Sequence, residues 1–410
     1  MLNNDYDVVV VGAGPGGCVA ARNLARFGHK VLLLEKRERI GFPVRCGEAS
    51  TTLEDLQTYG PIDDECIESI INGLFIYGPD GVNIEVPKPN TGIMLNRKKF
   101  DPWLAKLAKD DGAEVITAAR VDFVSEVENQ GKDGFRRVRV VLGEGNGDGS
   151  VKEISTQEIR ARMVIAADGV ESRIGRMVGL KSGQKPGCTC TGVDIEVEGL
   201  LTKPDYLTFW QGHDFINDGY IWSFPKQKSN VTNFGAGFIV PKAGAPSIYD
   251  VTMEWLEKFF PGAKVNHIVG GLVPVSGTLK NYTLDRFALV GDAAHHTNPL
   301  TGGGIASAMR AGRFCAETVH EGLSATSGEA ANLGQSFLKT YEKRCYGYFG
   351  RNHDFQLKFR KFLLNLDKAN QVGLYKVLQG FALSGYKKTA FLKTPIQSAK
   401  YLCKFLKFKG

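Results

Sequence analysis

The chain lacks any long hydrophobic run. It has 410 residues, of which 43% are hydrophobic and 23% are charged. No apolar stretch approaches the roughly 18 residues that a membrane-spanning helix requires. No basic, apolar leader precedes the first predicted strand, so that a secretory signal is not expected. These absences favour a globular protein of the cytoplasm.

Cysteine pairs at metal-ligand spacing are also lacking. The eight cysteines are scattered, and Cys188-x-Cys190 has no second pair nearby. A zinc or iron–sulfur site is therefore not expected, and we predict no bound metal. Without an export signal, the thiols are expected to be mostly free. The sequence also has no internal repeat and no nucleic-acid motif, so that we expect no nucleic acid as a partner.

Acidic residues are scarce at the C-terminal end. Residues 351–410 contain 13 lysines and arginines against two acids, a net charge of +11, whereas the whole chain carries +7. In a predicted helix over 395–409, Lys400, Lys404 and Lys407 share one face. This pattern is typical of a helix at a membrane surface and equally of the solvated face of a packed helix. The charge points to an anionic partner.

What the sequence does have is a glycine-rich turn between a strand and a helix. Asp7–Val11 is predicted to be a buried strand, and the following GAGPGG matches G-x-G-x-x-G, with glycines at 12, 14 and 17. An amphipathic helix, a second strand at Val31–Leu34 and a terminal Glu35 complete a βαβ unit. Such a unit binds a dinucleotide, because the helix N-terminus holds the pyrophosphate and the acid holds a ribose. The motif does not by itself separate NAD from FAD.

Two later stretches are rich in aromatic residues or in glycine. Residues 72–92 and 190–280 have the pattern of antiparallel strands, and alternation puts Tyr220, Trp222 and Phe224 on one face. That face suits either an ordinary core or the wall of a pocket for an apolar ligand. A further strand ends at Gly291-Asp292 and is followed by three glycines, 302–304, before a helix. An acid and free N–H groups at such an end bind ribityl hydroxyls and an anionic ring edge.

The elements together predict an α/β Rossmann-type domain with an inserted antiparallel β-sheet domain and a C-terminal helical region. The predicted boundaries are 1–71, 93–185 and 281–333 for the discontinuous nucleotide-binding domain, 72–92 and 186–280 for the sheet domain, and 334–410 for the basic helical region. The glycine-rich run 143–150 lacks a flanking strand and helix, so that it is predicted to be a loop. His295 and His296 are predicted to pack within a turn rather than to catalyse.

Three separated stretches together resemble the FAD-dependent superfamily of p-hydroxybenzoate hydroxylase. They are the glycine turn with Glu35, the strand end at Asp168-Gly169, and Gly291-Asp292 with the glycine triplet. Two more motifs, PVRCGE at 43–48 and Tyr220-x-Trp222-x-Phe224-Pro225, resemble those of the geranylgeranyl reductases, which include the archaeal digeranylgeranylglycerophospholipid reductases. The resemblance covers residues 1–330 and implies that the dinucleotide is FAD.

The resemblance also implies particular site residues. The implied FAD-binding residues are Gly12, Gly14, Gly16 and Gly17 at the pyrophosphate, Glu35 at the adenosine ribose, Val121 at the adenine, Arg45, Cys46, Gly47, Ala49 and Arg97 along the cofactor, Asp292 at the ribityl–pyrophosphate part, and Gly303, Gly304 and Ile305 at the isoalloxazine. The implied substrate site comprises Tyr220, Trp222, Phe224 and Pro225. Cys46 and Glu48 are the candidate catalytic residues by their loop position, with a bound water or a flavin N–H equally open as the proton donor.

The implied activity is that of an FAD-dependent reductase in membrane lipid biosynthesis. It would saturate isolated C=C bonds of geranylgeranyl chains, in isoprenoid lipids or diphosphates, by hydride transfer from reduced flavin. The alternative is a flavin monooxygenase or another FAD oxidoreductase of this fold that acts on an apolar substrate; a non-catalytic FAD-binding lipid carrier is a third interpretation. The electron donor is expected to be a reduced nicotinamide or a ferredoxin-like protein. The expected location is the cytoplasm, with peripheral binding to the inner face of the cell membrane through the basic C-terminus.

Overall fold

The structure, a computed structural model, describes residues 2–129, 131–145, 151–183, 187–216, 218–239, 246–326 and 332–383, together with residues 401, 404 and 405. The strands in these ranges are β1 (Asp5–Val11), β2 (Val31–Leu34), β3 (Ala49–Ser50), β4 (Ile67–Tyr77), β5 (Asn83–Leu95), β6 (Glu114–Ile116), β7 (Ala119–Val124), β8 (Arg136–Gly145), β9 (Val151–Ala166), β10 (Thr189–Glu198), β11 (Tyr206–Trp210), β12 (Gly219–Lys226), β13 (Val231–Ile239), β14 (Val265–Pro274), β15 (Thr283–Leu284) and β16 (Phe287–Leu289).

The helices in the same ranges are α1 (Pro15–Arg26), α2 (Leu53–Gln57), α3 (Arg97–Asp110), α4 (Ile174–Met177), α5 (Ile248–Phe259), α6 (Ile305–Ser324), α7 (Gln335–Cys345), α8 (Arg351–Leu364) and α9 (Lys368–Leu383). None of the described helices is long and apolar enough to cross a membrane. The chain divides into two compact units. The first comprises residues 1–44, 97–185 and 274–354, and the second comprises residues 45–96, 186–273 and 355–410.

The first unit is built on a sheet with the strand order β15-β16-β9-β1-β2-β6, and β8 joins β9 to β7. Its central strands are parallel, with Val9 opposite both Leu32 and Val164. Val9 is fully buried, which is why the central strands read as continuous apolar runs rather than alternating ones. Helices α1 and α6 pack so closely that a Cβ on Gly312 would overlap the carbonyl oxygen of Gly16. The N-termini of two helices are thereby fixed beside the carboxyl ends of β1 and β16.

The second unit is built on a sheet with the strand order β14-β10-β13-β12-β11-β4-β5-β3. One face of this sheet packs on a hydrophobic core that includes Ile195, Trp210 and Phe234, against which α5 contributes Leu256. The opposite face of the strands β10, β13 and β12 carries the aromatic residues described below. This arrangement confirms the predicted fold class, a Rossmann-type domain with a second sheet inserted into the chain, and that sheet is antiparallel except for the parallel pair of β4 and β11.

The observed units differ in detail from the predicted domain boundaries. Residues 45–71 and 93–96 belong to the second unit, because β4 begins at Ile67 and pairs along β5. The C-terminal region is not a unit by itself: it is divided after Asp354. Residues 143–145, predicted as part of a loop, continue β8 and pair with β9. Residues 146–150 lie outside the described residues, as does most of the predicted helix over 395–409.

Candidate functional site

The glycine turn after β1 forms a tight junction in the first unit. Gly12 has a φ of +103°, and a Cβ there would overlap the carbonyl oxygen of Ala167. A Cβ on Gly17 would overlap the carbonyl oxygen of Gly12. The protein's own backbone therefore requires these two glycines. Gly14 differs from them, since a Cβ there would have no neighbour within 4 Å. The space beside Gly14 is open to a ligand.

Helix α1 begins at this open space without a side-chain cap. Gly14 is its N-cap residue and offers no acceptor, so that the first N–H groups of α1 can bind an anion such as a pyrophosphate. Glu35 is held next to them, because its Oε2 accepts a hydrogen bond from the N–H of Ala13 at 3.0 Å. The N–H of Ala119 donates to the carbonyl of Glu35 at 2.9 Å, which places β7 and Val121 close by. The turn thus fits the adenosine diphosphate half of a dinucleotide.

A second group of predicted residues follows β16 in the same unit. Asp292 lies in a short 3-10 turn, and its Oδ1 accepts a hydrogen bond from Oγ1 of Thr297 at 2.9 Å. A Cβ on Gly304 would lie 3.1 Å from that oxygen. Burial raises the pKa of Asp292, and Thr297 and the positive charge of Arg97 act against the rise. Asp292, Thr297 and Gly304 are therefore neighbours, and the charge of Arg97 acts on Asp292.

Helix α6 also begins without a side-chain cap. Its N-cap is Gly304, so that Ile305 presents N–H groups with no side-chain acceptor, as α1 does. A Cβ on Gly16 would lie 3.0 Å from the carbonyl of Ala308, which brings the starts of the two helices together. Oδ1 of Asp168 is buried and has no hydrogen-bond partner among the described residues. Two uncapped helices, an orphaned carboxyl oxygen and an open glycine fit a large anionic cofactor.

His295 and His296 are structural members of this turn. Burial lowers the pKa of His295 to about 4 and that of His296 to about 3, so that both rings are neutral at pH 7. His295 shares a hydrogen bond of 2.7 Å with Oγ of Ser276, and His296 accepts one from the N–H of Gly291 at 3.2 Å. Both contacts hold the turn that carries Asp292.

The aromatic residues of the second unit form one face, as alternation predicts. Tyr220 and Phe224 both contact Phe209, with ring centroids 5.5 and 5.3 Å apart, and Trp222 lies between them on β12. A Cβ on Gly235 would overlap Cζ2 of Trp222, so that the indole lies flat on the backbone of β13. We refer to Phe209, Tyr220, Trp222 and Phe224 as the aromatic face.

Pro225 does not belong to the aromatic face. It follows Phe224 directly in β12, and adjacent side chains of a strand point to opposite sides of the sheet. Its carbonyl oxygen accepts a hydrogen bond from Oγ of Ser69 at 2.7 Å. The strand geometry thus argues against its predicted place in the substrate site.

The loop that contains Cys46 lies against the aromatic face. A Cβ on Gly47 would lie 3.2 Å from Cε2 of Phe224, and the carbonyl of Cys46 accepts a hydrogen bond from Nδ2 of Asn233 at 3.3 Å. Sγ of Cys46 accepts one from the N–H of Glu48 at 3.2 Å. Ala49 then starts β3. The structure thus brings together the residues 45–49 and three of the four predicted substrate residues.

Sequence reasoning missed a polar group beside this loop. Nζ of Lys226 lies 2.7 Å from Oε2 of Glu48 and 3.8 Å from Oε2 of Glu196, and the side chains of Lys226 and Glu48 are each only 5% exposed. Burial acts to lower the pKa of Lys226, but the carboxylates of Glu48, Glu68 and Glu196 together outweigh burial and raise the pKa overall. Asn233 adds a hydrogen bond of 2.8 Å from Nε1 of Trp222. Asp194 belongs to the same polar group, because Asn233 and Lys226 both act to lower its pKa.

Comparisons with known proteins agree with this geometry. Residues 5–221 match a family described as an FAD binding domain, and residues 189–273 match the geranylgeranyl reductase catalytic domain. The digeranylgeranylglycerophospholipid reductase of Methanosarcina acetivorans is 36% identical over 371 residues, which are 89% of this chain and 86% of that protein.

Solved structures give the same result. A geranylgeranyl bacteriochlorophyll reductase-like protein from Thermoplasma acidophilum is 30% identical, with a TM-score of 0.81 over 98% of this chain and 99% of its own. The p-nitrophenol 4-monooxygenase of Pseudomonas putida is 16% identical, with a TM-score of 0.68 over 98% of this chain and 99% of its own, and shares the fold alone.

We refer to the two turns of the first unit, residues 12–17 with Glu35 and residues 291–305, as the FAD cradle. The fold and the FAD cradle define an FAD-dependent oxidoreductase, and FAD is the cofactor, as predicted. Within that class, the catalytic-domain match and the relatives identify the family. The chain belongs to the geranylgeranyl reductase family.

Proposed function

We propose that the protein saturates isolated C=C bonds in the geranylgeranyl chains of a glycerophospholipid. The observation that carries the proposal is the aromatic face, which lies in the same chain as an FAD cradle and belongs to a catalytic-domain match. A trisubstituted alkene offers no polar group to a site, so that apolar and aromatic side chains must bind it. The relatives named digeranylgeranylglycerophospholipid reductases support this substrate class.

The cofactor would be held by the residues of the first unit that the sequence predicted. Gly14 leaves room for the pyrophosphate, Glu35 accepts from the ribose, and the N-termini of α1 and α6 supply N–H groups to anionic parts. Reduced FAD supplies a hydride to one alkene carbon. Positive charge develops at the tertiary carbon, and the π-faces of Tyr220 and Trp222 stabilise it.

Cys46 and Glu48 act differently in this proposal. Cys46 positions the alkene, because its loop packs on Phe224 and is fixed through Asn233. Glu48 holds the loop through its buried ion pair with Lys226. A carboxylate that accepts from an ammonium group has no proton to donate, so that the ion pair favours a positioning role for Glu48 over its predicted catalytic one.

The electron donor and the membrane surface are also proposals. A reduced nicotinamide or a ferredoxin-like protein would reduce the flavin. Residues 384–410 contain seven lysines and no acid. These lysines would bind the anionic headgroups of the membrane that contains the lipid.

The test is mass spectrometry of an unsaturated archaeal-type phospholipid after anaerobic incubation with dithionite-reduced protein. We expect a gain of two hydrogens for each reduced bond. Protein without FAD, or with oxidised FAD, serves as the control. An unchanged lipid would overturn the proposal, and a product that forms only with oxygen and contains an added oxygen atom would identify a monooxygenase instead.

A further inference from the structure

An acid lies on the same side of the sheet as the aromatic face. In the register of β10, β13 and β12, Asp194 is opposite Gly235, and Gly235 is opposite Trp222. Side chains opposite one another in neighbouring strands point to the same face. Because Gly235 has no side chain, the indole of Trp222 lies over it, next to the position opposite Asp194, and the charge of Asp194 acts on Tyr220 as well.

Asn233 lies near this acid. The indole N–H of Trp222 can only donate, so that the atom of Asn233 that lies 2.8 Å away must be the amide oxygen. The NH2 group of Asn233 then faces the other way, where it donates to the carbonyl of Cys46 at 3.3 Å and acts to lower the pKa of Asp194. One amide thus lies among the acid, the aromatic face and the loop of Cys46.

Lys226, the cation that acts on Asp194, is shared with other carboxylates. Lys226 is the ammonium group of this cluster, and it already faces the carboxylates of Glu48 and Glu196. A third carboxylate would add an uncompensated negative charge. Oδ1 of Asp194 is buried and makes no hydrogen bond with any residue that the structure describes. Burial, with Glu48 adding to it, raises the pKa of Asp194 to about 7.

We infer that Asp194 is the proton donor of alkene reduction. The inference deepens the proposed function and rests on it. The O–H bond of Asp194 breaks as a C–H bond forms at the less substituted alkene carbon, and the tertiary carbon receives the hydride that reduced FAD supplies. Together they add the two hydrogens, and FAD is left oxidised. The carboxylate that remains faces the developing positive charge and regains its proton from water.

The first test is the pH dependence of a single turnover with dithionite-reduced holoenzyme and the unsaturated phospholipid. The rate constant of the wild-type protein is expected to fall tenfold per pH unit above about 7, because ionised Asp194 has no proton to give. The other titratable groups that act on it are Glu48, Lys226 and Tyr220. Glu196 lies beside Lys226, and Cys46 and Cys190 act on Tyr220.

Variants distinguish the titration of Asp194 from that of the other groups. Asp194→Asn is expected to lower the rate constant by about 100-fold or more and to remove the alkaline fall, while FAD content and lipid binding stay unchanged. Asp194→Glu should restore a pH-dependent rate in part. Glu198→Gln is the matched control, since Glu198 lies on the same side of β10, is 54% exposed, and should react like the wild type.

A measurement that needs no turnover completes the design. Infrared spectra of the holoenzyme should show the C=O stretch of a protonated carboxyl group that disappears as the pH rises through about 7 and is missing in Asp194→Asn. A wild-type protein that leaves the lipid unreduced would overturn the proposed function. A competent wild type whose Asp194→Asn variant keeps its rate, or whose infrared spectrum lacks this band at pH 5, would overturn the role of Asp194.

Discussion

The indole of Trp222 lies over Gly235, which has no side chain. We expect Gly235→Ala to lower the free energy of unfolding by about 1–3 kcal/mol, because the new Cβ would overlap both Cζ2 of Trp222 and the carbonyl oxygen of Val193, so that the ring and the strand would have to move. The displaced ring should also slow lipid reduction. Urea titrations and the anaerobic lipid assay measure the two effects.

Gly192→Ala is the matched control for that change. Gly192 lies on the same side of the sheet, but a Cβ there would be 3.5 Å from the carbonyl of Ala236 and 3.8 Å from Trp222, which are ordinary contacts. Stability and rate should stay close to those of the wild type. Equal losses in the two variants would show that the contact with the indole is not the cause.

Single residues also show where sequence reasoning stops. Tyr220, Trp222 and Phe224 could be assigned to one face because strand alternation is a local property. Asp194 alternates with Val193 and Ile195, and such a pattern predicts a polar side that faces water. Only the pairing of β10 with β13, between residues far apart in the chain, shows that this side is the one with the aromatic face.

At the scale of elements, the turn between β1 and α1 contains glycines that the fold itself requires and one glycine, Gly14, beside which only a ligand would fit. Gly14→Ala should weaken FAD binding at least tenfold, with an unchanged melting temperature of the flavin-free protein, because only a ligand would meet the new methyl group. FAD titration followed by flavin fluorescence, together with thermal unfolding of the apoprotein, tests this.

Gly17→Ala provides the contrast within the same turn. Its methyl group would overlap the carbonyl oxygen of Gly12, so that the apoprotein itself should unfold at a lower temperature. If Gly14→Ala destabilised the apoprotein as much as Gly17→Ala does, the space beside Gly14 would not be a ligand site.

The same junction explains which elements could be predicted. β1, α1 and β2 were predictable because the turn, the periodicity and the terminal acid all lie within one short segment. β9 extends over Val151–Ala166, whereas the sequence predicted only that a strand ends before Asp168-Gly169. Its earlier residues are mostly polar and are held by antiparallel pairing with β8. No local pattern in the sequence reveals such pairing.

At the scale of the whole molecule, the uneven charge leads to a prediction about membranes. The protein should bind vesicles of phosphatidylglycerol more tightly than vesicles of phosphatidylcholine, and salt should weaken that preference. A variant with glutamine at the seven lysine positions of 384–410 should lose it, since each lysine near an anionic surface contributes about 1 kcal/mol. Cosedimentation with vesicles measures the binding, and equal binding to both lipids would contradict the prediction.

The domain boundaries were the least predictable feature at this scale. The predicted division followed motifs along the chain, whereas the observed units follow strand pairing. Residues 67–71 join the second unit because β4 pairs with both β5 and β11. The parallel pairing of β4 with β11 links residues more than 130 positions apart, and periodicity carries no information about such a partner.

The order in which the cradle is assembled has a consequence for biosynthesis. The glycine turn is translated more than 270 residues before Asp292 and the start of α6. Until β16 pairs with β9, Asp292 and α6 cannot lie beside the glycine turn. We therefore expect a nascent polypeptide to bind FAD only after β16 has been added.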